Sequence, residues 1–325
     1  MTVPREELVD ETTSNFYHCW SRCVRRAFLC GNDPVSGKSF EHRRGWIENR
    51  LAYLVTVFAV DLGAYAIMAN HYHAVLRNRP DIAQNWSAEE VARRWLTIFP
   101  GKTLCADDAE SMETHIQAIV IQAKLVEEYR KRLCSLSWFH RCLNEWIARK
   151  ANAEDECTGH FWEGRFRSER LNTAAAVVAC AVYVDLNPIR AGIAKTPEES
   201  EFTSVRRRVT SRKYKGEKSR SHKYQCPSLL AIAELSDSGL SEDEYFTLVD
   251  ETGRQLRSGK GSIPSHLVPI LERLKLKPDS WLTMQTKKRQ LFRRTIGPLS
   301  SLRKLAESAG KCWFQGLKSA QLIFA

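Results

Sequence analysis

The stretch Asn70-His71-Tyr72-His73-Ala74-Val75-Leu76 sets two histidines one residue apart at the head of an apolar run. In an extended chain successive side chains alternate faces, so His71 and His73 point the same way. Tyr72, Ala74 and Leu76 then point the other way, toward a core. Two imidazoles side by side on a strand form half of a metal site without further folding. The bland alternative is that both rings only complete hydrogen bonds at a sheet surface.

Working outward, residues 62–68 (LGAYAIM) read as a partner strand for 71–78, joined through Ala69-Asn70. Asparagine tolerates positive φ, so the link predicts a tight hairpin. Before it, Trp46, Ile47, Leu51, Leu54, Val55 and Phe58 recur at helical spacing between 42 and 60, with Arg43, Arg44, Glu48 and Arg50 on the other side. Residues 16–22 read as a first strand, followed by the basic Arg22, Arg25 and Arg26. Strand, helix and hairpin make the first half of a ferredoxin-like or RRM-like sheet. The predicted class is α+β: an antiparallel sheet with helices on one face, a helical insertion and a helical C-terminal region.

Downstream, residues 80–133 read as the helical insertion. A capping-box start stands at Ser87-Ala88-Glu89-Glu90, Pro100-Gly101 stops that helix, and one longer amphipathic helix spans 108–133. Residues 136–150 carry Trp138, Phe139, Cys142, Leu143, Trp146 and Ile147 at three-and-four spacing, a helix for the sheet. The segment Thr158-Gly159-His160-Phe161-Trp162-Glu163-Gly164-Arg165-Phe166-Arg167-Ser168 interleaves aromatic and basic residues. That pattern suits a strand or loop against nucleic acid, and equally an edge strand with its aromatics in the core. Ala174 to Leu186 is a small apolar helix stopped at Pro188, with Tyr183 and Asn187 one turn apart.

Ser204 to Tyr224 is strongly basic and reads as a solvated linker or a phosphate-binding run. The expected layout is a tail over 1–14, a main unit over 15–200, a basic linker over 201–226 and a helical region over 227–325.

Composition narrows the classes. In 325 residues, 43% hydrophobic content and nine tryptophans supply a core and exclude wholesale disorder. A net charge of +11 favours a polyanionic partner, most simply nucleic acid. Ten cysteines without a CxxC pair argue against a zinc ribbon or disulfide scaffold. There is no leader and no run of membrane-spanning length, so a reduced, cytoplasmic protein without membrane partner is expected.

Two imidazoles and one amide oxygen, from His71, His73 and Asn187, give a cation three ligands and leave positions open for a phosphate oxygen and water. Such a partly oxygen-ligated site favours Mg²⁺ or Mn²⁺. Tyr183 is then the candidate nucleophile, and a phosphotyrosine keeps the bond energy for rejoining. Each residue also has a plainer role: Tyr183 as core, Asn187 as a helix end, Arg190 as a charge on the helix dipole. Tyr129, in a charged helix with no amide one turn on, is the runner-up nucleophile.

Taken together, His71-Tyr72-His73, the 159–168 segment and Tyr183-Val-Asp-Leu-Asn187-Pro-Ile-Arg-Ala-Gly192 resemble the HUH single-tyrosine transposases, and within them the REP-associated tyrosine transposase branch. The likeness covers about residues 15–200, as the catalytic domain. It implies that His71, His73 and Asn187 hold a divalent cation and that Tyr183 is the nucleophile. It further implies an RRM-like fold, single-stranded or hairpin DNA as partner, and a 5′-phosphotyrosine with a free 3′-hydroxyl. No nucleotide cofactor is implied, the protein is monomer or homodimer, and the place is the nucleoid. The basic residues expected on DNA are Arg22, Arg25, Arg165, Arg167 and Arg190. The sequence departs from the family at Ala69, where proline is usual, at His160, and at Arg167-Ser168-Glu169. Two other readings stand beside it: a catalytically retired regulator that only binds hairpin or single-stranded DNA, and a general nucleic-acid module with structural histidines.

Overall fold

The computed structural model describes residues 9–24, 29–32, 37–101, 109–213, 228–236, 239–258, 264–292, 294–308, 310 and 315–325. Its centre is a five-stranded sheet in the order β2-β3-β1-β4-β5. The strands are β1 (Asn15–Arg22), β2 (Val60–Ile67), β3 (His71–Asn78), β4 (Arg167–Leu171) and the short β5 (Thr295–Ile296). β1 runs antiparallel to both β3 and β4, β2 antiparallel to β3, and β5 parallel to β4. Helix α1 (His42–Val57) connects β1 to β2. The insertion follows β3 as α2 (Pro80–Gln84), α3 (Ala88–Ile98), α4 (Ala109–Val120) and α5 (Ala123–Leu133), and α6 (Leu136–Glu154) leads to β4. This is the expected split β-α-β-β-α-β arrangement.

The alternation of β3 decides which layer each side chain joins. Tyr72, Ala74 and Leu76 are fully buried with Tyr17, Cys19, Tyr65 and Ile67 against α1 and α6. Val75 faces the other way, with Ala64 and Ala66, beneath helix α7 (Ala174–Asp185). A register shift between Leu62 and Ala64 rephases β2, so Leu62 and Tyr65 share a face although three residues apart. Gly63 sits at that shift, and a Cβ there would lie 2.8 Å from the Leu235 side chain.

The α+β class holds. The two connecting helices lie on one face, as expected, but the opposite face is covered as well. There α7 is apolar all round, and every residue from Ala175 to Asp185 is buried. Each of its buried valines contributes on the order of 2 kcal/mol of burial. The segments that follow α7 are α8 (Asn187–Arg190), α9 (Ser204–Lys213), α10 (Ile232–Leu235), α11 (Glu242–Ser258), α12 (Val268–Arg273), α13 (Pro278–Leu291), α14 (Leu299–Ser308) and α15 (Leu317–Ile323). Of these α8, α10, α11 and α13 pack directly on α7. Leu230, Leu248, Leu271, Trp281, Met284, Phe292 and Ile296 join α7 in one core.

Three local expectations change. The single helix over 108–133 is two helices, because the chain leaves helical geometry at Gln122 (φ −105°, ψ 79°) and exposes Ile121. Residues 204–213, expected as linker, form α9, and its buried Arg208 donates to the carbonyls of Gly63 and Leu230 at 3.0 and 2.7 Å. The rest of the basic run to 224 lies outside the described residues, as do residues 1–8 of the expected tail. Val9, within that tail, is buried in the core.

Candidate active site

His71 and His73 do share a face, their ring centroids 4.9 Å apart and nearly perpendicular. His73 is fully buried and His71 half-buried. His71 Nδ1 meets Asn70 Oδ1 at 2.6 Å. His73 pairs across the sheet with Trp20, which places His18 diagonally beside it. The rings of His18 and His73 stack at 5.0 Å, with His18 Nε2 2.9 Å from His73 Nδ1. On its far side His18 faces Glu169 of β4, its direct cross-strand partner, and His18 Nδ1 lies 3.0 Å from Glu169 Oε2. Lys288 of α13 closes the row, ion-paired to Glu169 and 2.9 Å from His18 Nδ1. His18, His73, Glu169 and Lys288 are nearly sealed from solvent.

Burial favours neutral imidazoles here. It pushes His18 down to about 4, helped by the charge of Lys288, and His71 down to about 4, helped by Arg289. His73 is held well below its ordinary value by burial and by His18. Burial opposes ionisation of Glu169, but Lys288 and His18 outweigh it and bring the carboxyl down to about 2. Glu169 in turn keeps Lys288 charged against its own burial.

Helix α7 brings Tyr183 to the same cluster. Thr173 Oγ1 caps its start by accepting from the Ala176 N–H at 3.3 Å. The Tyr183 ring stands edge-on to both His18 and His73, each centroid 6.1 Å away. Its face carries two cations, the Arg190 guanidinium at 3.9 Å and Lys288 Nζ at 4.9 Å. Asn187 is buried where α7 ends: its amide N–H₂ donates to the carbonyls of Tyr183 and Val184 at 3.1 and 3.2 Å. Its Oδ1 accepts from Arg190 Nη2 at 2.7 Å, and Arg190 Nη1 donates to the Gln285 carbonyl at 2.5 Å. The sequence-level residues His71, His73, Tyr183, Asn187 and Arg190 therefore gather in one place.

The other basic candidates lie around it. Arg22 is exposed beside Glu163 (3.4 Å) and pairs in register with His71. Arg165 and Arg167 are exposed, and Arg25 lies outside the described residues. The aromatic residues of the 158–168 segment divide by role. Phe161 and Phe166 are buried, Phe166 stacking on His140 at 3.9 Å, while Trp162 donates to the Asn144 carbonyl at 2.8 Å. They anchor the loop from which Arg165 projects, next to Arg167 at the head of β4. Tyr129 stacks on Trp95 at 4.1 Å, within the insertion and its own aromatic cluster.

Sequence reasoning missed His18, Glu169 and Lys288. The only signal for the first two was parity: His18 shares the face of Phe16 and Trp20, and Glu169 stands among the residues that depart from the family pattern. Lys288, inside Lys287-Lys288-Arg289, carried none.

His73 Nε2 is buried and without a hydrogen-bond partner among the described residues. A divalent cation fits that atom, since a bare imidazole nitrogen is its usual ligand. The Asn187 oxygen accepts one bond and keeps a second lone pair. Among the described residues no group of three or more His, Cys, Asp or Glu is arranged as a metal site. No helix among them is long and apolar enough to cross a membrane.

No family model and no curated protein matches the sequence. A solved structure of the REP-associated tyrosine transposase bound to a REP hairpin is similar at 10% identity, over 71% of this chain and 99% of that one, with a TM-score of 0.39.

Proposed function

We propose that this cluster is the centre of a metal-dependent tyrosine transposase of the REP-associated type, cleaving and rejoining single-stranded DNA beside a hairpin. The observation that carries the reading is Tyr183 packed edge-on at 6.1 Å against His73, whose Nε2 is left bare. His71, His73 and Asn187 would hold Mg²⁺ or Mn²⁺, which when bound polarises a phosphate oxygen and offsets charge in the transition state.

Tyr183 gives its phenolic proton to water, and its oxygen bonds to phosphorus. The P–O3′ bond breaks, and the 3′ oxygen leaves as a hydroxyl after taking a proton from water. The 5′ phosphate stays on the phenol until a 3′-hydroxyl reverses the step. Arg190 lies against the Tyr183 ring and holds Asn187 Oδ1. A DNA phosphate that draws Arg190 into a bidentate pair frees the amide oxygen. Arg22, Arg165 and Arg167 supply backbone contacts around the strand.

A second reading, a retired DNA-binding regulator, is favoured by the burial of the same groups, with Tyr183 only 4% exposed. One experiment separates them. Wild-type protein incubated with Mn²⁺ and a hairpin-bearing single strand is expected to give a denaturation-resistant protein–DNA adduct on a gel. Tyr183→Phe should abolish the adduct while gel-shift binding persists, and His71→Ala should lose cleavage and metal dependence together. Wild-type binding without any adduct makes the protein a regulator; an undiminished adduct in Tyr183→Phe removes that tyrosine from the chemistry.

A further inference from the structure

We infer that Glu169, acting through His18, fixes the tautomer of His73 so that Nδ1 carries the proton and Nε2 is left bare as a ready-made cation ligand. The inference rests on the site proposed above and assigns positioning roles to two buried residues outside the ligand set.

Glu169 is a carboxylate and only accepts, so a hydrogen bond from His18 across 3.0 Å requires a proton on His18 Nδ1. A neutral His18 then presents Nε2 as an acceptor. The 2.9 Å contact to His73 Nδ1 therefore puts the His73 proton on Nδ1. What remains on His73 is a lone pair at Nε2, the buried atom with no partner among the described residues.

A reversed arrangement competes, because Lys288 Nζ also lies 2.9 Å from His18 Nδ1. If the ammonium donates there, His18 must donate from Nε2, and His73 acquires a proton on Nε2. That proton would point into a buried site with no acceptor among the described residues, and orphaned buried N–H groups are rarer than unused acceptors. Lys288 already has its counter-charge in Glu169. The carboxylate-to-imidazole bond is also charge-assisted, which favours the first arrangement. Outer partners of this kind orient metal-binding histidines, and their removal costs roughly 10- to 100-fold in metal affinity.

The test begins on the metal-free full-length chain carrying ¹⁵N-labelled histidine. Two-bond ¹H–¹⁵N correlations report which nitrogen of each ring is protonated, and His73→Gln and His18→Gln assign the signals. In wild type, Nδ1–H with a bare Nε2 is expected for His73, and Nδ1–H for His18. A protonated Nε2 on His73 overturns the inference whatever the cation or DNA results. The paired variant Glu169→Leu with Lys288→Met removes both charges without orphaning either. It is expected to mix the His73 tautomers and to weaken Mn²⁺ binding, measured calorimetrically, by about tenfold or more. An unmixed tautomer there refutes control by Glu169. Should that variant not fold, the wild-type spectrum still decides. Wild type with the expected tautomer and no Mn²⁺ binding would sink the proposed function while leaving the tautomer assignment intact.

Discussion

Asn187 uses both ends of its amide: the nitrogen ties down the last carbonyls of α7 and the oxygen holds Arg190. A helix end and a ligand can thus be the same residue, and a substitution tells them apart. Asn187→Ala removes these hydrogen bonds, and about 1 to 2 kcal/mol of stability should be lost, read by chemical denaturation. If Asn187 also serves as a ligand, Mn²⁺ affinity falls with it; lost stability with unchanged affinity would make it a helix end alone. The same residue shows why part of the site was legible. His71 and His73 sit two apart on one strand, and Tyr183 and Asn187 four apart across one helix end, so spacing alone put each pair together. His18, Glu169 and Lys288 come from three elements. Their meeting depends on the pairing of β1 with β4 and on the docking of α13, neither of which leaves a mark in the local sequence.

At the scale of elements, α9 forms where the charge run suggested a linker because its start is supplied from elsewhere. The fully buried Asp185 at the end of α7 accepts from the Ser204 hydroxyl, from the Val205 N–H at 2.9 Å and from the Tyr245 hydroxyl at 2.6 Å. One carboxyl therefore joins α7, α9 and α11, and it faces the otherwise unsatisfied donors at a helix N-terminus. Asp185→Ala leaves the Val205 N–H and the Tyr245 hydroxyl without this acceptor, while Ser204 keeps the Tyr65 carbonyl at 3.4 Å, and should cost about 3 kcal/mol. Asp185→Asn keeps an acceptor and should cost less. Burial raises the Asp185 carboxyl above its ordinary value, against the pull of Ser204, Tyr245 and Arg208. The native chain thus holds this proton more tightly than the unfolded one. Its contribution is fully present below the unfolded value of 3.8 and is lost as pH rises through the folded value. Wild type should gain stability relative to Asp185→Asn as pH falls toward that unfolded value. Denaturation of both proteins across the acid range checks this, and a pH-independent difference would show that Asp185 is not raised.

For the whole molecule, the question is whether residues beyond 226 are an appendage or part of the same fold. The all-round apolar surface of α7 demands burial on every side, yet nothing in its sequence names the partner. The C-terminal segments supply that partner, enclosing α7 in a shared core. They also reach both margins of the sheet. Leu230 N–H donates to the Leu62 carbonyl at 2.9 Å beside β2, and β5 adds in parallel to β4. Covering both edges removes unpaired backbone that would otherwise recruit other chains. Lys288 comes from the same region, so the ion pair that ends the row at Glu169 forms only when α13 is docked. A chain ending at residue 226 should then expose the apolar surface of α7, bind a hydrophobic dye such as ANS, and lose Mn²⁺ affinity. The full chain should unfold in one step, with tryptophan fluorescence and far-ultraviolet circular dichroism giving coincident curves. A soluble, cooperatively folding 1–226 fragment with undiminished affinity would mean that the C-terminal third neither holds α7 nor serves the site.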